Sequence, residues 1–245
     1  MWDNAAQLRT LANTLLGISM LLILFAGVRF TLHLPVFAIK TVQIKNISEH
    51  VSIEQMKRVI HEQIRGNFFT VDLRHARQAF EQLPWVRKVS VRRKFPWGLE
   101  VEVEEQVALA RRSETTLVNT YGEIFSARSQ QILPVFIGQA DASIQMKTMY
   151  GELAAKLQPL QQQIVKLSLS PRFAWQLSLD NGMVLELGRE QMQQRMARFV
   201  DVYPYSLATL KHTVTHVDLR YSNGFAAYLP HGAGVQRKRT SRNRV

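Results

Sequence analysis

The sequence predicts an α+β protein: one N-terminal helix of membrane length, a small unit ordered strand, helix, helix, strand, strand, and a larger, mostly antiparallel β unit with two helices. Three observations predict it. Thr10–Val28, nineteen residues, carry no charge between Arg9 and Arg29. Either side of Phe95-Pro96-Trp97-Gly98, valines and leucine alternate with charged residues, the period of a half-buried strand. Asp180-Asn181-Gly182 divides two further alternating runs, the strongest short-range signal for a hairpin.

The apolar run defines a transmembrane helix over 10–32 after a short tail, 1–9. At 1.5 Å per residue its uncharged core is roughly 28 Å long, close to the roughly 30 Å of a bilayer's hydrocarbon, and Arg29 can snorkel to the headgroups. A cleaved signal peptide is the competing reading, but the run exceeds the usual length, Arg9 is the only basic residue before it, and no small-residue cleavage site follows. Asp3 and Arg9 precede the helix while Arg29, Lys40 and Lys45 follow it. The positive-inside count therefore mildly favours a cytoplasmic C-terminal part, a weak rule where a large domain translocates. Orientation stays open at this level.

The formal charge is +12, and Arg237, Lys238, Arg239, Arg242 and Arg244 supply five of it, leaving +7 for the rest. A basic run of that kind, within 231–245, reads as a solvated disordered tail, not a nucleic-acid element. Cysteine is absent, which removes disulfides, thiolate metal sites and a cysteine nucleophile.

The first folded unit is expected over 36–105. Phe37, Ile39, Val42 and Ile44 read as a strand with a slip of register. Ser52 precedes Gln55 by a capping-box spacing and opens a helix striped by Ile53, Met56, Ile60 and Ile64. Asp72 caps a second helix, which carries Leu73, Ala76, Phe80 and Leu83 and ends at Pro84. In the hairpin, Val89 and Val91 face Leu99, Val101 and Val103, and a basic strand opposes Glu100, Glu102 and Glu104, worth roughly 0.2–1 kcal/mol per opposed pair. Proline second and glycine fourth predict a type I turn. Arg92-Arg93-Lys94 is then a solvated sheet face.

The second unit is expected over 106–230. Strands are predicted at 107–112, 116–118, 124–126, 132–138 and 164–169. Two helices are predicted, one carrying Met146, Met149, Leu153 and Leu157, the other Met192, Met196, Phe199 and Tyr203. The hairpin 175–187 lies between them, and a last hairpin, 213–221 with 225–229, turns at Ser222-Asn223-Gly224.

The strand, helix, helix, strand, strand order after a single transmembrane helix, with Leu83-Pro84-Trp85-Val86 leading into Val89-Ser90-Val91-Arg92, resembles the POTRA domain of the FtsQ/DivIB bacterial division proteins. Ala174–Arg189, Arg195–Pro204 and Val217–Tyr221 extend that resemblance through the second unit. It implies a non-enzymatic, single-pass type II protein of the bacterial inner membrane, with the folded part in the periplasm at the division septum. It further implies that the protein links early and late division proteins, recruiting FtsB and FtsL through the second unit while the POTRA domain contacts others. The FtsB-binding surface it implies is Arg220, Tyr221, Ser222, Asn223, Gly224 and Phe225, with Arg172 as a charged contact, and a strand added at the edge is the expected mode. Tyr221 and Phe225 could instead close the core.

Against an enzyme stand the missing G-x-S-x-G, H-E-x-x-H and glycine-rich phosphate motifs. His212 and His216 are expected on a strand, without metal-ligand geometry, so no catalytic residue, metal, cofactor, small-molecule substrate or nucleic acid is expected. Two other classes remain as alternatives. A POTRA-bearing translocation or envelope-assembly factor would need a barrel or porin-like repeat, which does not follow in this sequence. A wall hydrolase would turn over peptidoglycan.

Overall fold

The structure, a computed structural model, describes residues 5–46, 50–209, 214–221 and 223–229, with backbone alone for 5–8. Ser222, His212 and the basic tail lie outside the described residues. The chain divides into two compact units, Met1–Gln106 and Val107–Val245.

The first unit begins with α1 (Ala5–Leu32), within which Arg9–Leu32 is long and apolar enough to cross a membrane. A 3₁₀ turn, Pro35–Phe37, follows, then β1 (Thr41–Lys45), α2 (Ile53–Gln63), α3 (Leu73–Glu81), β2 (Val86–Lys94) and β3 (Gly98–Glu105). The sheet order is β1-β3-β2, with β1 parallel and β2 antiparallel to β3. The expected first strand is thus shorter than its alternation suggests: Phe37 leaves it for an aromatic cluster, and Lys40 N–H already bonds Trp97 O at 2.8 Å.

Both helices start where short polar side chains can satisfy orphan N–H groups. The Asp72 carboxylate accepts from the N–H of Arg74 and His75 at 2.9 and 3.1 Å. These bonds hold its carboxyl below the ordinary range. Ser52 Oγ accepts from Glu54 N–H, so the N-terminal box closes on Glu54 and not on Gln55. Met56 is buried, whereas Ile53 is exposed, so the stripe along α2 is narrower than its sequence reads.

Met56 and Phe80 pack with Val51, Val86, Val89, Val101 and Val103 to form the core. On the opposite face Arg87–Glu104 (2.6 Å), Arg92–Glu102 (3.4 Å) and Lys45–Glu100 (2.9 Å) join basic to acidic strands. The hydrogen bond from Lys45 keeps the Glu100 carboxyl low. The hairpin's turn is not type I: the Phe95–Pro96 peptide is cis and Trp97 takes φ 58°. Trp85 is half-buried, with its ring stacked on that of His50 at 4.2 Å.

The second unit comprises β4 (Ala108–Ser113), β5 (Thr116–Asn119), β6 (Ile124–Ser126), β7 (Val135–Ile137), α4 (Ser143–Leu157), β8 (Ile164–Leu169), β9 (Trp175–Leu179), β10 (Val184–Gly188), α5 (Met192–Val202), β11 (His216–Asp218) and β12 (Ala226–Tyr228). They form one nine-stranded sheet, ordered β12-β11-β10-β9-β8-β7-β4-β5-β6. Most pairs are antiparallel; β4/β7, β7/β8 and β10/β11 are parallel.

The two helices explain two of the parallel pairs, because α4 carries the chain from β7 to β8 and α5 from β10 to β11, the crossovers that parallel neighbours require. Met146, Leu153 and Leu157 from α4 and Met196 and Phe199 from α5 meet Leu167, Trp175, Leu177, Leu185, Leu187 and Val217 from the sheet. Each methionine stripe is therefore core. The predicted strand at 132–138 is only three residues long, and Ile132 is fully exposed. At the β9–β10 turn Gly182 N–H returns to Leu179 O at 3.0 Å, and Asn181 Oδ1 accepts from Met183 N–H.

Candidate functional site

The edge of the sheet at β12 gathers most of the residues the sequence points to. Thr215 O accepts from Val184 N–H and Leu219 N–H donates to Glu186 O, both at 2.9 Å, so the Thr215 carbonyl and Leu219 turn toward β10, while Thr215 N–H reaches Tyr228 O at 3.3 Å. By alternation His216 and Asp218 turn toward β12, where they face Tyr228 and Ala226. The N–H and C=O of Ala227 then point away from β11. Among the described residues no strand pairs with that side.

At the ends of β9, β10 and β11, the last of these the neighbour of β12, lies an open cleft of ≈ 430 Å³ lined by Arg172, Ala174, Gly188, Arg189, Glu190, Arg195 and Arg220. The fold brings four arginines together from three places. Arg172 comes from the β8–β9 turn, which closes through Phe173 N–H to Ser170 O at 2.9 Å. Arg189 and Arg195 bracket the start of α5, and Arg220 follows β11. Arg195 Nη1 donates to Leu187 O at 2.6 Å. Gly188 makes the packing possible: at φ +75°, a Cβ there would sit 2.8 Å from Arg195 Nη1 and 3.2 Å from Arg220 Cγ.

Arg220 is clasped within the chain. Its Nε lies 2.9 Å from Asp218 Oδ1 and its Nη2 2.7 Å from Oδ2, while its backbone N–H reaches Oδ1 at 3.0 Å. The guanidinium bonds hold the Asp218 carboxyl below the usual carboxylate range, and the carboxylate in turn raises Arg220. Asp218 thus partly neutralises Arg220, and Glu190 sets one further negative charge in the cleft against Arg172, Arg189 and Arg195.

Of the sequence-predicted residues, Arg172 and Arg220 share this cleft. Tyr221 is 58% exposed, and its carbonyl accepts from Arg198 Nη1 at 3.2 Å. Asn223 is exposed. Gly224 is half-exposed, and Phe225 is half-buried, packed on the core with its ring 6.3 Å from that of Phe199. Tyr221 and Phe225 therefore take different parts, one facing solvent and one helping to close the core. Sequence reasoning missed Arg189, Arg195 and Arg198; the spacing of Arg195 and Arg198 at i, i+3 on a helix whose other face is Met192, Met196 and Phe199 was the available signal.

His216 Nε2 lies 3.9 Å from Glu186 Oε1, and Gln176 Nε2 donates to the same oxygen at 2.6 Å. Among the described residues no group of three His, Asp or Glu is arranged to hold a metal ion.

A helix of membrane length, a β-α-α-β-β unit and a sheet with a solvent-facing edge define a class: proteins in which one long apolar helix is followed by a POTRA domain and a β domain. The family "POTRA domain, FtsQ-type" matches residues 37–106, and "Cell division protein FtsQ/DivIB, C-terminal" matches 108–220. Proteins named "Cell division protein FtsQ" are similar along nearly their whole length. That of Nitrosospira multiformis is 42% identical over 93% of this chain and 98% of its own, and that of Bordetella pertussis is 37% identical over 94% and 93%. That of Burkholderia pseudomallei is 36% identical over 92% and 93%. The chain belongs to the FtsQ/DivIB family of cell division proteins.

Proposed function

We propose that this protein is a non-enzymatic scaffold of the bacterial division machinery. It is held in the inner membrane by α1 as a single-pass type II protein, with both folded units in the periplasm at the septum. It links early and late division proteins, recruiting FtsB and FtsL through the second unit while the POTRA domain contacts other members. Recruitment proceeds by β-augmentation: a strand of the partner pairs with the outward N–H and C=O of Ala227, and acidic side chains beside that strand enter the arginine cleft. Arg172, Arg220, Tyr221, Ser222, Asn223, Gly224 and Phe225 form the contact.

The observation that supports this reading most is the conjunction at one edge of an outward backbone, an exposed Tyr221 and four clustered arginines. Aromatic and arginine side chains are the usual anchors of an interface. The test separates binding from folding. Tyr221→Ala should weaken FtsB/FtsL binding by about 2 kcal/mol, roughly thirtyfold, with the melting temperature of the second unit nearly unchanged. A large fall in melting temperature with unchanged affinity per folded molecule would return Tyr221 to the core and remove this edge as the binding site.

A further inference from the structure

We infer that the base of the first unit is a membrane-interface platform, which lays Phe69, Phe95 and Val36 on the headgroup layer of the bilayer that α1 crosses. The inference rests on α1 being the anchor proposed above. Three loops far apart in sequence meet beside the end of α1: Pro35–Phe37, Asn67–Phe69 and Phe95–Trp97. The Phe37 ring lies 5.1 Å from that of Trp97 and 5.2 Å from Phe69, and the Phe95 ring lies 6.4 Å from Trp97. A satisfied core would hide these rings, yet Phe95 is 81% exposed and Phe69 and Val36 are exposed beside it.

The height of this surface is fixed by one side chain. Asn67 is buried, and its Nδ2 donates at 2.6 Å to the carbonyl of Leu32, the last residue of α1 and one of those left without an intrahelical partner. Its Oδ1 accepts from the N–H of Phe69 and of Thr70, both at 3.0 Å. Arg93, on β2, grips the same loop through the carbonyls of Phe68 (2.7 Å) and Val71 (3.0 Å). The platform is thereby pinned both to the helix end and to the sheet, so the level at which α1 leaves the hydrocarbon is also the level of Phe69 and its neighbours.

Charge selects lipid as the occupant. Residues 28–45, 64–71 and 92–98 contain no Asp or Glu, and Arg29, Lys40, Arg65 and Lys94 are exposed around the aromatic surface. Aromatic rings at headgroup level, ringed by basic residues, are what an anionic bilayer interface accepts.

The chain lacks cysteine, so single nitroxide labels can be placed on the full-length protein in phosphatidylethanolamine/phosphatidylglycerol vesicles. Labels at Leu22→Cys, Phe95→Cys and Gln82→Cys report the helix, the platform and the far end of the unit, since the nine residues of β2 separate its two ends by roughly 26 Å. The Phe95 label should collide several-fold less with an aqueous nickel chelate than the Gln82 label, and more with lipid-dissolved oxygen. Val36→Asp, at an exposed residue outside the ring cluster, should return it toward the Gln82 value with the melting temperature unchanged. If Leu22 reports lipid while Phe95 matches Gln82, the platform is wrong and the anchor stands; if Leu22 is aqueous, both are wrong. Shielding of Phe95 from oxygen and nickel alike would mean that protein covers it, which also overturns the inference.

Discussion

The nine-stranded sheet has two edges, and they are nearly equal as backbones. Both β6 and β12 are three residues long, and each turns polar groups outward. At β6, Asn119 N–H bonds Glu123 O at 3.0 Å, so by alternation Ile124 and Ser126 face away from β5. What differs is the company. The β6 edge ends a meander closed by Asn119, whose buried side chain accepts from the N–H of Tyr121 and Glu123 and donates to the Glu123 carboxylate at 2.7 Å. The strand next to β12 runs into Arg220, which lines the cleft it shares with Arg172, Arg189 and Arg195. An outward strand is thus a site only where side chains give a partner a reason to choose it, and shortness at both ends limits unwanted pairing.

Removing both edges at once should give the largest effect. Leu185 is fully buried in β10, and Leu185→Asp should unfold the second unit, at a cost of about 4 kcal/mol for an unpaired buried charge. Calorimetry should show the first unit melting as before; loss of both in a single transition would mean that the two units do not fold independently. Gly188→Ala sharpens the comparison next. The positive φ and the crowding against Arg195 and Arg220 should cost about 1–3 kcal/mol, read as a lower denaturation midpoint together with weaker partner binding.

A paired substitution tests the backbone itself. Ala227→Pro removes an outward N–H while leaving the bonds to β11, and should weaken FtsB/FtsL by about 1 kcal/mol or more in titration calorimetry. Ser126→Pro does the same at the other edge and should leave affinity unchanged; equal losses from both would sink the preference for β12. Arg172→Glu should weaken binding by about 1 kcal/mol, chiefly through a slower association rate whose salt dependence falls. The smallest effect is acid-dependent. Because Asp218 is held below its ordinary value in the folded chain, the stability it contributes is complete above about pH 4 and is lost as pH falls through the lowered value. The melting temperatures of Asp218→Asn and the parent chain should therefore converge as the pH is taken below about 4, and a constant gap would remove the clasp as its cause.

Period and punctuation made the local elements legible. The uncharged run, the Asp72 cap, the charged hairpin face and the Asn181-Gly182 turn are each decided by a few neighbouring residues, and the strand, helix, helix, strand, strand order follows from them. Failures came where distant contacts override local pattern. Phe37 alternates like a strand residue but is drawn into rings near positions 69 and 97. Ile132 belongs to an apolar run yet stands in solvent. In the candidate site, Arg172 and Arg220 could be named from family likeness, while Arg189 and Arg195 could not, because only the α5 crossover, which sets β11 parallel to β10, brings the end of β11 beside them. Phe225 shows the reverse: part of its surface is taken by the core, beside Phe199, a division no linear pattern records.

That crossover also orders events in time. Among the described residues β12 pairs only with β11, and β11 pairs with β10 only after α5 has carried the chain back across the sheet, so the local β11–β12 hairpin has no template until a long-range closure is complete. Non-local pairings of this kind form late, since the entropy of closing the loop is lost before any contact repays it. The strand that faces outward therefore joins the sheet only after β11 has. Chains still assembling lack the edge altogether, and only molecules whose second unit has finished folding can offer it.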